Sequence, residues 1–279
     1  MNSYAQTNVQ LFNQLRSAGY SGEELTAVMQ AYEFAIRIFA GLYLPSGKPF
    51  IDHLVGTASI LASLRMSAEV VVAGLIHAAY LHGDFGTLRS GISQNKRKLV
   101  QHTVGKTAEE YVERYDRLLF SAETIATLSD SLDSLDVAER NVLVMHLANE
   151  LEHHLDLGAL YFPEEMQQQG HRRYMEDYGP KLVKMAERLR FISLAADMAE
   201  VFSNIATSPI PLEPCVRANR RTAYLIVACS YRQYLAFTLL YKASEVYGLL
   251  LIHWSRAQRL CGRAWKSLRI FSQADSRIR

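Results

Sequence analysis

Residues Ala73–Gly86 read AGLIHAAYLHGDFG, and the fold turns on how this stretch is read. Its first half belongs to a nearly all-apolar run from Val70 to Tyr80. A helix that is apolar on every face sits at the centre of a helical assembly. His77 is therefore a polar ring in an apolar setting, and such a group needs a partner. The run ends in GDFGTLRSG, where three glycines in nine residues oppose regular structure and predict a loop. Upstream, PSGKPFIDHLVG (Pro45–Gly56) passes from a Pro- and Gly-containing loop into a second helix, expected over 51–64, which carries His53.

Outward from this pair the same helical periodicity continues. NVQLFNQLRSAGY (Asn8–Tyr20) and GEELTAVMQAYEFAIRIFAGLY (Gly22–Tyr43) carry apolar residues at three- and four-residue intervals. Ser21 is placed to cap the second of these, with Glu24 completing a capping box. Further amphipathic segments cover roughly 92–103, 106–118 and 137–160. No alternating strand pattern persists, so the expected fold is all-α. The polar QQQGHRRYMEDYGP (Gln167–Pro180) reads as an exposed connection or lid. ATSPIPLEP (Ala206–Pro214) holds three of the seven prolines and marks an internal boundary, which divides the chain into 1–205 and 206–279.

With 49% hydrophobic and 21% charged residues, the chain has the make-up of an ordinary globular protein. The N-terminus lacks the basic, apolar and small-residue succession of a signal peptide. Cys215, Cys229 and Cys261 lack zinc-site spacing and are expected as thiols in a reducing cytoplasm. A net charge of +2 hides an asymmetry: residues 215–279 contain 12 basic and 2 acidic residues, and the preceding part is net acidic. Within that basic end, RAQRLCGRAWKSLRIF (Arg256–Phe271) sets five cations on one helical face and an apolar stripe on the other. Packing on the acidic part or in a homodimer is the first reading of that helix. Contact with an anionic membrane ranks second, and nucleic acid, for want of interleaved aromatics, ranks last. Arg232, Lys242 and Glu245 interrupt the apolar segment before it, which argues against a spanning helix.

The order SGKPFIDH, an apolar helix, AGLIHA and then VLVMHLANELEHHL (Val142–Leu155) resembles the HD superfamily of metal-dependent phosphohydrolases. The pattern is nearest to the hydrolase domains of the stringent-response alarmone enzymes, over roughly residues 20–160. The resemblance implies an HD-domain-like helical bundle, here with an additional C-terminal helical region. It also implies a divalent metal held by a His, a His-Asp pair and a distant Asp, activating water near neutral pH. His53 and His77 match the first two ligands, but Ala78 stands at the Asp position and Asn149 at the distant one. The acidic pair that handles water in the alarmone hydrolases is replaced by Leu81 and His82, and their base-stacking Arg by Leu44. Alarmone hydrolysis is therefore not expected.

A rebuilt site is the alternative to a lost one. His153 lies one helical turn after Asn149 and shares its face, whereas His154 points about 100° away. His53, His77 and His153 are candidate ligands for Zn, Fe or Ni, with a metal-free centre as the competing expectation. His82 and Asp84 are candidate acid–base groups. Lys48, Tyr80, Arg89 and Asn149 are candidate contacts for a small anionic or phosphorylated substrate. His146 ranks below His153, and Phe85 is placed to act as a lid or plug. Two functions compete: an enzyme with an altered site, and a catalytically silent relative that binds a ligand or a partner. The bland reading is that His53 and His77 are core histidines satisfied by hydrogen bonds.

Overall fold

The computed structural model describes residues 3–209, except 45, 87–89 and 162–164. Arg89, the three cysteines and the basic C-terminal helix lie outside the described residues, as does the region beyond Pro209. The described chain is all-α. Its helices are α1 (Asn8–Ser17), α2 (Gly22–Ile38), α3 (Phe50–Ser63), α4 (Ala68–Leu75), α5 (Ala79–His82) and α6 (Gln94–Val104). They continue with α7 (Lys106–Arg117), α8 (Ala122–Ser131), α9 (Val137–Leu155), α10 (Glu165–Arg188) and α11 (Ile192–Thr207). No described helix is long and apolar enough to cross a membrane.

Local chemistry sets the helix starts. Ser21 accepts the Glu24 N–H while the Glu24 carboxylate accepts the Ser21 N–H, the reciprocal box expected from sequence. Thr7 with Gln10 and Asp136 with Glu139 repeat the device for α1 and α9. At the centre, α3 packs against α4 and α9, α4 packs against α2 and α7, and α10 with α11 covers α9 and α8. Every residue of α3 from His53 to Ala62 is buried, as is α4 from Val70 to Leu75. Leu54, Leu61, Leu75, Leu143 and Leu147 lie wholly inside.

Two sequence expectations change. The single helix expected from Val70 to Tyr80 breaks at Ile76–Ala78 into α4 and α5. Ile76 leaves helical geometry at φ −127°, and the His77 Nδ1 takes the Gly74 carbonyl at 2.7 Å, competing for a backbone acceptor. The segment expected as a connection at 167–180 lies inside the long α10, with Pro180 within the helix. Its second half carries a buried stripe of Met175, Leu182, Met185 and Ala186, a helical period that the polar first half obscures.

A buried charge ties α5, α6 and α7 together. Glu109, fully buried on α7, accepts from Tyr80 Oη (2.6 Å), Arg97 Nε (2.7 Å) and Nη2 (3.0 Å), and Gln101 Nε2 (2.7 Å). Burial pushes its pKa up, but the hydrogen bonds from Arg97, Tyr80 and Gln101 outweigh that and hold it below the ordinary value. A depressed carboxylate stabilises the fold above its unfolded pKa, and that contribution is lost as pH falls through the folded one. Glu109→Ala is expected to cost on the order of 3 kcal/mol in urea unfolding at neutral pH. It should also remove part of the stability loss seen on acidification below about pH 4.

Candidate functional site

The turn before α3 sets the first side chain of the site. Leu44 N–H donates to the Lys48 carbonyl at 2.8 Å, Gly47 N–H to the Leu44 carbonyl at 2.8 Å, and Tyr43 bridges to Pro49. Gly47 sits at φ +85°, a conformation that favours glycine. This turn carries Lys48 back toward α9, where its Nζ pairs with Glu152 Oε1 and lies 3.4 Å from Asp156 Oδ2. The other Glu152 oxygen, Oε2, meets His53 Nδ1. Glu152 is fully buried, and Gly56 makes room for it: a Cβ there would stand 2.5 Å from Oε1 and 2.7 Å from Cγ. Burial pulls the Lys48 pKa down, but the Glu152 and Asp156 carboxylates more than offset this and hold it above its ordinary value.

Around this chain the imidazoles gather. The His53 ring lies 5.4 Å from that of His77 and 4.3 Å from that of His153, centroid to centroid. Three separate segments thus converge: the start of α3, the break between α4 and α5, and the end of α9. His77 continues into Tyr115 (4.9 Å), which stacks on His146 at 3.8 Å, and Phe120 lies nearly parallel to the same imidazole at 4.7 Å. His146 Nε2 and Asn149 Oδ1 are buried without a hydrogen-bond partner among the described residues. Burial depresses both His77 and His146 to about 3, His77 with a further contribution from His53. On the next turn, burial raises the Glu150 carboxyl to about 7.

The sequence candidates divide. His53, His77 and His153 come together, and His154 turns away as expected, its ring 5.6 Å from that of Phe202. They do not assemble a metal triad: among the described residues no three His, Cys, Asp or Glu side chains form a group able to hold a metal ion. Ala78 offers no donor, Asn149 only an amide, and His53 Nδ1 is committed to Glu152. Among the described residues, the side chains do not fit the four-ligand divalent-metal centre that the HD resemblance implies.

Lys48, expected as an anion contact, pairs with two carboxylates. Tyr80, expected as a substrate contact, is fully buried and donates to Glu109. His82 lies half-buried with its ring 5.7 Å from Phe50, its pKa lowered by burial and then by His53. Asp84 is exposed, and its Oδ1 accepts the Gly86 N–H at 2.7 Å, which shapes the loop. Phe85, expected as a lid or plug, meets Phe34 edge-on at 6.2 Å and lies parallel to Tyr80 at 6.4 Å. Sequence reasoning missed Glu152. Its signal was present, since Glu152 and Asp156 follow Asn149 by three and seven residues and so share its face of α9.

Residues 41–118 match a family described as a domain of unknown function (DUF6817). The chain is 26% identical over 182 residues to a probable GTP pyrophosphokinase of Mycobacterium leprae (strain TN), covering 65% of this chain and 22% of that protein. It is 27% identical over 165 residues to a GTP pyrophosphokinase of Streptomyces coelicolor, covering 56% and 17%. The chain thus spans about a fifth of the length of these curated relatives. A solved structure described as "A metazoan ortholog of SpoT hydrolyzes ppGpp and plays a role in starvation responses" is 16% identical with a TM-score of 0.44. That match covers 64% of this chain and 94% of the other. The sequence similarity is therefore to part of proteins described as GTP pyrophosphokinases.

The two depressed imidazoles have a thermodynamic consequence. A histidine that stays neutral when folded stabilises the fold above its unfolded pKa, and this is lost as pH falls toward the folded value. His77 and His146 should therefore show no protonation in histidine NMR spectra between pH 8 and 5. Together they should contribute on the order of 3 kcal/mol of stability loss per pH unit below about pH 6.5. A midpoint near 6.5 for either ring contradicts the buried, neutral assignment.

Proposed function

We propose that this chain is an HD-like enzyme with an altered centre, acting on a small phosphorylated, nucleotide-related metabolite by chemistry other than alarmone hydrolysis. The observation that carries the reading is the meeting of His53, His77 and His153 beside the buried Glu152 carboxylate. Clustered buried imidazoles and a carboxylate are costly to fold and are concentrated where proton transfer is needed. The similarity to GTP pyrophosphokinases supports a nucleotide-related substrate class. Ala78 and Asn149, in place of the two acidic ligands, support the altered chemistry. The reading places the protein in the cytoplasm.

The test is a turnover panel with the full chain, free of a histidine tag, followed by phosphorus NMR. Guanosine tetraphosphate, GTP and nucleoside monophosphates are each supplied with and without Mn²⁺. The expected result is conversion of a nucleotide other than guanosine tetraphosphate, reduced at least 100-fold by His53→Gln. Efficient hydrolysis of guanosine tetraphosphate contradicts the altered chemistry. Binding in calorimetry with no turnover of any substrate overturns the enzyme reading in favour of a silent ligand-binding relative.

A further inference from the structure

Glu152 touches two different partners with its two oxygens. Oε1 holds the Lys48 ammonium and Oε2 meets His53 Nδ1, all three side chains being withdrawn from solvent. Paired with the Lys48 ammonium, the carboxylate accepts hydrogen bonds from both partners. In the neutral imidazole His53 Nδ1 then carries the proton that joins it to Oε2, and Nε2 has the lone pair. His77 is fixed in the same sense, because the Gly74 carbonyl at 2.7 Å from its Nδ1 also only accepts.

The carboxylate is held firmly. Gly56 opens the notch that Glu152 fills, and Asp156 at 3.4 Å gives Lys48 a second anchor. The arrangement matches what a carboxylate does for a general-base histidine: it sets the tautomer and steadies the ring. We infer that Lys48 is the resident cation of this centre, and that the chain Lys48–Glu152–His53 presents His53 Nε2 as a metal-independent proton acceptor. Glu152 and Lys48 are positioning residues in this scheme, and His53 is the group that meets a hydroxyl or water of the substrate. The inference deepens the proposed enzyme reading and rests on it for its function. The tautomer and the metal independence are properties of the free protein and can be measured whether or not a substrate is known.

The full chain labelled with ¹⁵N-histidine reports both. Long-range ¹H–¹⁵N correlation, with His53 assigned by its loss in His53→Gln, is expected to show the Nδ1–H form with a pyridine-like Nε2. A titration with Zn²⁺ should leave the His53 and His77 signals in place. Glu152→Gln and Lys48→Met should each shift His53 toward the Nε2–H form, whereas Lys48→Arg should keep the wild-type pattern. If the two disruptive variants do not fold, the wild-type tautomer and the Zn²⁺ titration decide alone. A wild-type Nε2–H form overturns the inference. So does stoichiometric Zn²⁺ binding that moves both histidine signals and disappears in His53→Gln. Failure of the turnover panel alongside the expected tautomer would count against the enzyme reading alone.

Discussion

The structure around the centre depends on one buried carboxylate. Glu152 is fully withdrawn from water, and an ion in that position is tolerated only where its oxygens are matched. Lys48 and His53 supply the match, and both are placed by the turn and helix that begin at residues 43–50. Gly47 lets that turn adopt its left-handed step, and Gly56 leaves the space that the carboxylate occupies. The rotation of α9 about its own axis is set by the same contact. Once Glu152 faces α3, His153 must meet His53 and His154 must turn toward α11.

A second buried carboxylate, Glu109, makes the contrast instructive. Its partners are a guanidinium, a phenol and an amide, which satisfy its oxygens and leave no base behind. That network fastens α7 to α5 and α6 and reads as structural. Glu152 instead bonds an imidazole, a group whose second nitrogen keeps chemical capacity. The same physical demand, that a buried charge be paired, yields a brace in one place and a candidate site in the other. The aromatic stack of Tyr115, His146 and Phe120 extends the Glu152 centre, through His77, with an imidazole that burial keeps neutral.

Much of this was legible in the sequence. Apolar periodicity identified the helices, and the Ser21–Glu24 box was readable from residue types alone. The convergence of His53, His77 and His153 followed from the resemblance, and the choice of His153 over His154 followed from helical geometry. Four features were hidden for physical reasons. The break at Ile76–Ala78 lies in a run whose apolar character continues through both helices, so periodicity does not register it. Tyr80 and Lys48 were read as ligand contacts because a sequence does not show which polar groups are already paired across the fold. Glu152 was overlooked because attention fell on residues matching a metal pattern, and a carboxylate that pairs with lysine belongs to no such pattern. The polar first half of α10 masked the buried stripe of its second half.

The account stands on the coupling between Lys48 and Glu152, and a double-mutant cycle in urea unfolding measures it directly. Lys48→Met and Glu152→Gln should each destabilise the full chain by about 3 kcal/mol, since each leaves a buried charge or its partner unmatched. The combined variant should recover on the order of 1–3 kcal/mol relative to the sum of the two. Strict additivity, with no recovery in the double variant, would mean that the two side chains do not share a buried ion pair and would contradict the account.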